Sequence, residues 1–216
     1  SAATFPDDQL PLEPQVTPGW AVSGTILTIT GIIYALVGVR GKRLQTFFST
    51  AFLAALGTTV LILYLMTPPV SHAVQGAFVI AAVCTGAALG GLALLFRDLT
   101  ECLGCALGGF CLSMWLLTLR PGGLVGPDQS TGGKIVFIAA FTCAGLCLYF
   151  SRWTRTHGLV AGISFAGSTA AILGIDCFSR AGLREFWAYI WAVNGALFPE
   201  GVDSYPLTRG IRVELA

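Results

Sequence analysis

Residues 71–109 read SHAVQGAFVIAAVCTGAALGGLALLFRDLTECLGCALGG. No Asp, Glu, Lys or Arg occurs from 71 to 96; then RDLTE, residues 97–101, gathers three of them, and the apolar run resumes. About twenty apolar residues are needed to cross the hydrocarbon of a bilayer. The stretch therefore predicts two membrane helices joined by a short charged turn. On either side of that turn the chain repeats a phrase, GAALGG at 86–91 and GCALGG at 104–109. Helices in lipid associate where small residues let backbones approach. Gly86 with Gly90, and Gly104 with Gly108, are accordingly expected to give both legs of one hairpin a smooth face at the same depth. Asp98-x-x-Glu101 has the spacing of a capping box for the second leg, and Arg97 is placed to pair with Glu101.

The rest of the chain continues the pattern. Of 216 residues, 55% are hydrophobic and 11% charged, against about 25% charged in a soluble domain. Apolar runs at 19–39, 44–66, 71–96, 99–119, 135–150 and 158–178 are separated by charged or Pro/Gly breaks. A seventh, 183–198, is short and carries Glu185, Asn194 and several aromatic residues, and Pro199 ends it. The fold class expected is all-α: a polytopic membrane protein of seven transmembrane helices, the last one short, in a glycine-rich, tightly packed bundle. Residues 1–18, with four prolines and three acids, form an acidic outer tail whose small first residues suit the end of a cleaved leader. Residues 19–198 form the membrane domain, and 199–216 begin a cytoplasmic tail.

Lys and Arg in short loops set orientation. Seven crossings put Arg40, Lys42, Arg43, Arg97, Arg152, Arg155, Arg209 and Arg212 on one side, and Arg120, Lys134, Arg180 and Arg184 on the other. Eight against four places the N-terminus outside the cell or in a lumen and the C-terminus in the cytoplasm, in a plasma membrane or endomembrane. Trp20, Tyr64 and Trp153 fall at interfaces, where aromatic belts form.

Two further spans carry small-residue seams. In the first, Gly24, Thr28, Gly31, Ala35 and Gly38 recur at steps of four and three. In the sixth, Gly158, Gly162, Ala166, Ala170 and Gly174 recur at every fourth residue. Such seams suit a neighbour in the same chain, a second copy in a homo-oligomer, or another membrane protein.

Chemistry is sparse. Asp176 lies near the outer end of the sixth span; it is either a proton or cation site or the partner of Arg180 one turn on. Glu185 and Asn194, with Trp187 and Trp191, either line a cavity or anchor an interfacial helix. Cys102-x-x-Cys105 lacks the further ligands a zinc site needs, and the seven cysteines read as packing residues. His72 and His157 are expected on opposite sides of the membrane. No catalytic motif, metal site or cofactor site is expected, and a net charge of +1 without a basic patch argues against nucleic acid.

Residues 44–125, from LQTFFSTAFLAALG to RPGGLV, and residues 186–216, FWAYIWAVNGALFPEGVDSYPLTRGIRVELA, resemble fungal members of a seven-helix membrane domain family. That family groups seven-transmembrane superfamily member 3 with transmembrane protein 198. The resemblance extends over nearly the whole chain and implies seven crossings. It carries no catalytic motif, and for relatives of the second type it implies scaffolding of membrane signalling complexes. The expected function is a non-enzymatic scaffold or assembly module acting through small-residue helix interfaces. The alternative is a channel or transporter for an ion or small solute using Asp176, Arg180, Glu185 and Asn194.

Overall fold

The computed structural model describes residues 17–66, 72–96, 100–119, 131–191 and 207–216. In chain order its helices are α1 (Pro18–Val37), α2 (Lys42–Leu65), α3 (His72–Ala93), α4 (Leu103–Thr118), α5 (Thr131–Phe150), α6 (Arg155–Ser179), α7 (Leu183–Trp191) and α8 (Arg209–Leu215). Five of them, α1, α2, α3, α5 and α6, are long and apolar enough to cross a membrane, and α4 is a shorter apolar helix. Their outer faces present Leu36, Leu61, Ile80, Val136 and Phe150 to the surroundings. That is the surface a protein solvated by hydrocarbon can leave uncovered.

The helices start where local chemistry lets them. Pro18 opens α1 at a position whose N–H has no helical partner, and the Thr17 hydroxyl accepts the N–H of Trp20 at 3.5 Å. At the other extreme, α6 ends on Arg180, held in the left-handed region at φ 58°, followed by Gly182 at φ 92°. A residue without Cβ suits that second position, and the turn sends the chain back towards the bundle.

Successive membrane helices run antiparallel. The α1–α6 contact is closed by facing small residues. A Cβ on Gly31 would lie 2.6 Å from the Ala171 nitrogen and 2.8 Å from the Gly167 oxygen. One on Gly24 would lie 2.7 Å from the Cys177 Cβ. The repeated phrases do not face each other. Gly86 and Gly90 of α3 rest on Ala51 and Phe47 of α2, while Gly108 of α4 meets Gly162 of α6. Gly104 lies beside Ser49 and Gln45 of α2 and Ile163 of α6. The expected smooth hairpin between the third and fourth spans is therefore corrected. The two phrases serve two different interfaces, because α2 and α6 already occupy those faces.

The core between α1, α2, α4 and α6 centres on Tyr34, whose hydroxyl lies 2.7 Å from that of Ser49 among the rings of Phe48 and Phe52. A second core joins Met114 and Leu117 of α4 to Leu183, Phe186, Trp187 and Ile190 of α7 and Ile211 of α8. Helix α8 packs beside Ala181 and donates the Thr208 hydroxyl to its carbonyl at 3.4 Å. It thus lies at the end of the bundle where α6 stops and α7 begins, and it belongs to the packed domain rather than to a free tail. The nine residues of α7 rise only about 13 Å, and the chain is back at its starting end by residue 207. Glu101 binds Lys42 and Arg155. Arg97, Asp98 and Asn194 lie outside the described residues.

Candidate functional site

The candidate site is a junction of charged and aromatic groups where α1 starts, α6 ends, and α7 and α8 are held together. It begins with Asp176 on the last turn of α6, 1% exposed. Its Oδ1 accepts the N–H of Gly182 at 2.9 Å and of Leu183 at 3.1 Å, and its Oδ2 that of Arg184 at 2.9 Å. These are the first N–H groups of α7, which a helix leaves without internal partners. A carboxylate there also meets the positive end of the helix dipole. Asp176 is thus neither wet nor an ion-pair partner of Arg180, whose side chain is exposed. The expected pairing is corrected.

The Arg184 guanidinium stacks over the Trp20 ring, 4.1 Å from its centroid, and so ties α7 to the start of α1. Its Nε and Nη2 both bond Glu185 Oε1, the first at 2.9 Å. Glu185 is buried, and its other oxygen has no hydrogen-bond partner among the described residues. Trp187 is buried against Phe110 and Trp191 rather than lying in an interface, which corrects the expected anchor. The amphipathic α7 turns its aromatic face inward because α4 offers Met114 and Leu117 there.

The third acid arrives with α8. Glu214 accepts the Ser179 hydroxyl at 2.5 Å, and the Leu215 carbonyl accepts Trp115 Nε1–H at 3.1 Å. Burial pushes the Glu214 carboxyl up to about 7, opposed by the Ser179 hydroxyl and reinforced by the Asp176 and Glu185 carboxylates. Glu214 is thus placed to hold a proton beside Asp176, Glu185 and Arg184. Among the described residues no group of His, Cys, Asp and Glu could hold a metal ion.

Of the residues singled out from sequence, Asp176 and Glu185 meet here, Arg180 borders the junction, and Asn194 lies outside the described residues. Arg184, Glu214 and Trp115 were not anticipated. The partners of Asp176 lie six to eight residues ahead of it, beyond the reach of any local capping pattern, and Glu214 meets Ser179 across 35 residues.

At the opposite end of the bundle, the nearly buried Glu101 carboxylate receives Arg155 at 2.7 Å and Lys42 at 3.8 Å, and the Tyr149 hydroxyl at 3.2 Å. Gln45 Nε2 donates to the Glu101 backbone carbonyl at 3.4 Å. Arg155 also stacks on the Tyr149 ring.

The family model described as the TM7S3/TM198-like domain matches residues 24–216. The chain belongs to that family. No match was found among curated proteins or solved structures.

Proposed function

We propose that this member of the TM7S3/TM198-like domain family is a non-enzymatic scaffold in the membrane, binding other membrane helices through its outward small-residue faces. The observation supporting it is the distribution of polar groups. Along the spans, Thr25, Thr28, Thr30, Thr58, Thr59, Thr142 and Thr169 return their hydroxyls to carbonyls of their own helices. The ionised groups gather at the two ends, and Asp176 has its oxygens filled by backbone N–H groups. A solute path needs polar groups facing a shared passage at mid-depth. What the spans offer outward instead is small. On α3, Ala73, Ala77, Ala81, Cys84 and Ala88 are exposed at steps of four and three, and on α5, Ala140, Cys143 and Cys147 are. These are the residue types with which membrane helices make close contacts.

The domain on this reading makes six crossings with both ends on the extracytoplasmic face. Its other face carries Arg40 and Arg152 in connections between crossings and Lys42, Arg43 and Arg155 at the helix starts beside them, as cytoplasmic faces do.

The experiment is reconstitution into vesicles with two readings. Dilution-dependent energy transfer between labelled copies, or between the chain and helices co-purified with it, reads association. Ion and proton flux reads transport. Association weakened by Ala81→Leu with Ala88→Leu, without flux, is the expected result. Flux abolished by Asp176→Asn would replace the scaffold with the transporter reading, for which the buried carboxylates Asp176 and Glu185 are the supporting feature.

A further inference from the structure

At the end of the bundle opposite the α7–α8 junction, a cleft of about 340 Å³ opens between the end of α1 and the starts of α2 and α6. Its polar side is formed by Lys42, Gln45, Glu101, Arg155 and Thr156, and its apolar side includes Val39 and Val160. We propose that this cleft binds the phosphate of an anionic phospholipid through Lys42 and Arg155, with an acyl chain along Val39 and Val160.

Three observations carry it. The first is the placing of charge. Lys42 and Arg155 are each the first residue of a helix, where a cation faces the positive end of the helix dipole and weakens the helix. Neither start has a side-chain cap: Gly41 precedes α2, and Thr154 before α6 gives its hydroxyl to the Leu148 carbonyl. Two cations beside one cleft suit an anion.

The second is geometry. Both cations reach one carboxylate, Glu101, through different oxygens, so they stand close enough for a single phosphate to meet both. Glu101 neutralises one of the two charges and positions Arg155, which is further fixed by Tyr149 Oη at 2.7 Å. The Lys42 side chain remains 72% exposed and only loosely paired, leaving ammonium donors for a ligand. Arg40, Arg43 and Arg152, all exposed, add to the positive field.

The third is the wall. Val39 and Val160 are 40% and 41% exposed within the same cleft. They sit at the membrane ends of α1 and α6, so a head group held by Lys42 would lay its chain along them. A soluble anion has no use for that wall. The inference rests on the chain crossing a membrane and not on the scaffold reading.

The test is native mass spectrometry of the full chain released from detergent after exchange with phosphatidylglycerol, phosphatidylcholine of the same acyl chains, or inorganic phosphate. The expected result is preferential retention of phosphatidylglycerol, reduced about fivefold by Lys42→Ala, the weight of one surface cation. Arg152→Ala, outside the cleft, should reduce retention less than Lys42→Ala does. Arg155→Lys keeps the bond to Glu101 but loses the guanidinium fork, and should reduce retention while thermal stability holds. Equal retention of the two lipids would overturn the proposal, as would a Lys42→Ala variant that retains phosphatidylglycerol fully. Displacement of phosphatidylglycerol by millimolar inorganic phosphate would make this a soluble-anion site and would also overturn it.

Discussion

The Asp176 carboxylate on the last turn of α6 accepts the backbone N–H of Leu183, the first residue of α7, at 3.1 Å. With the N–H groups of Gly182 and Arg184 it forms a cap that fixes how α7 leaves the turn. Removing it leaves three donors without an acceptor in a buried place. Asp176→Ala is expected to cost on the order of 3 kcal/mol of stability. Asp176→Asn should cost less, since its carbonyl keeps part of the cap. Thermal unfolding in detergent followed by Trp187 fluorescence measures both. An Asp176→Ala protein that melts like wild type would show that α7 is held by its aromatic face alone.

That cap also marks where the sequence stops being informative. The helices were legible because hydropathy runs of about twenty residues leave little choice in lipid. The steps of four and three that put Gly24, Gly31 and Gly38 on one face of α1 were legible. Its partner face was not. Spacing by four predicts Gly158, Gly162 and Gly174 together, yet Gly162 meets α4 while Gly167 and Gly174 meet α1. A helix touched on two sides mixes two registers in one sequence. The same limit misled the reading of GAALGG and GCALGG: a phrase gives the depth of a close contact, not the neighbour that fills it. Asp176 and Glu185 stood out as charges in apolar surroundings, whereas Glu214 drew no reading and Glu101 was read only through its neighbours Arg97 and Asp98. Their roles come from long-range contacts that no local pattern encodes.

Glycines on the seams and glycines on open faces should respond oppositely to the same methyl group. At Gly31 the added Cβ would press on the α6 backbone, which cannot rotate away. Gly31→Ala is expected to destabilise the domain by about 2 kcal/mol, in the range of core overpacking. Gly57 has nothing within 4 Å of its would-be Cβ. Gly57→Ala should therefore be neutral or stabilise by up to about 1 kcal/mol, the gain in helix propensity. Equal effects at the two positions, read as melting temperatures in detergent, would contradict the seam.

The larger steric tests separate the two interfaces of the repeated phrase. Gly90→Leu should loosen α3 from α2, and Gly108→Leu should loosen α4 from α6, because each approaches backbone of that helix and not of the other leg. Cross-linking of cysteines placed on α2 with α3, and on α4 with α6, should fall only at the interface carrying the substitution. Loss of both cross-links with either variant would restore the hairpin account.

Docking of α8 should depend on pH. The Glu214 carboxyl rises from its ordinary 4.5 to about 7 in the folded protein, chiefly through burial. A group whose affinity for protons is higher when docked stabilises docking fully below its undocked value and loses that contribution as pH climbs through its docked one. The groups facing it are Asp176 and Ser179 of α6 and Glu185 of α7, with Arg184 bound to Glu185; Arg209 and Arg212 on its own helix are exposed. Hydrogen exchange at α8, corrected for its intrinsic rate, should be slower at about pH 5.5 than at about pH 8.5. Glu214→Gln mimics the protonated acid and should remove most of the difference. Undiminished pH dependence in that variant would assign the effect to another group.

The position of α8 beside Ala181 fixes a topological consequence. Val213 is 77% exposed at the end where α6 finishes, and Trp153 is 92% exposed at the end where α6 begins. Since α6 crosses between them, Val213→Cys and Trp153→Cys should react with an impermeant thiol reagent from opposite sides of a sealed vesicle. The exposed native thiols Cys84, Cys143 and Cys147 lie along spans, where such a reagent does not reach, and wild type supplies the baseline for Cys102. Six crossings require opposite labelling. A seventh crossing through residues 183–198 would carry the C-terminal helix to the far face and label both cysteines from the same side, and it would also require α8 to leave its place against Ser179 and Trp115.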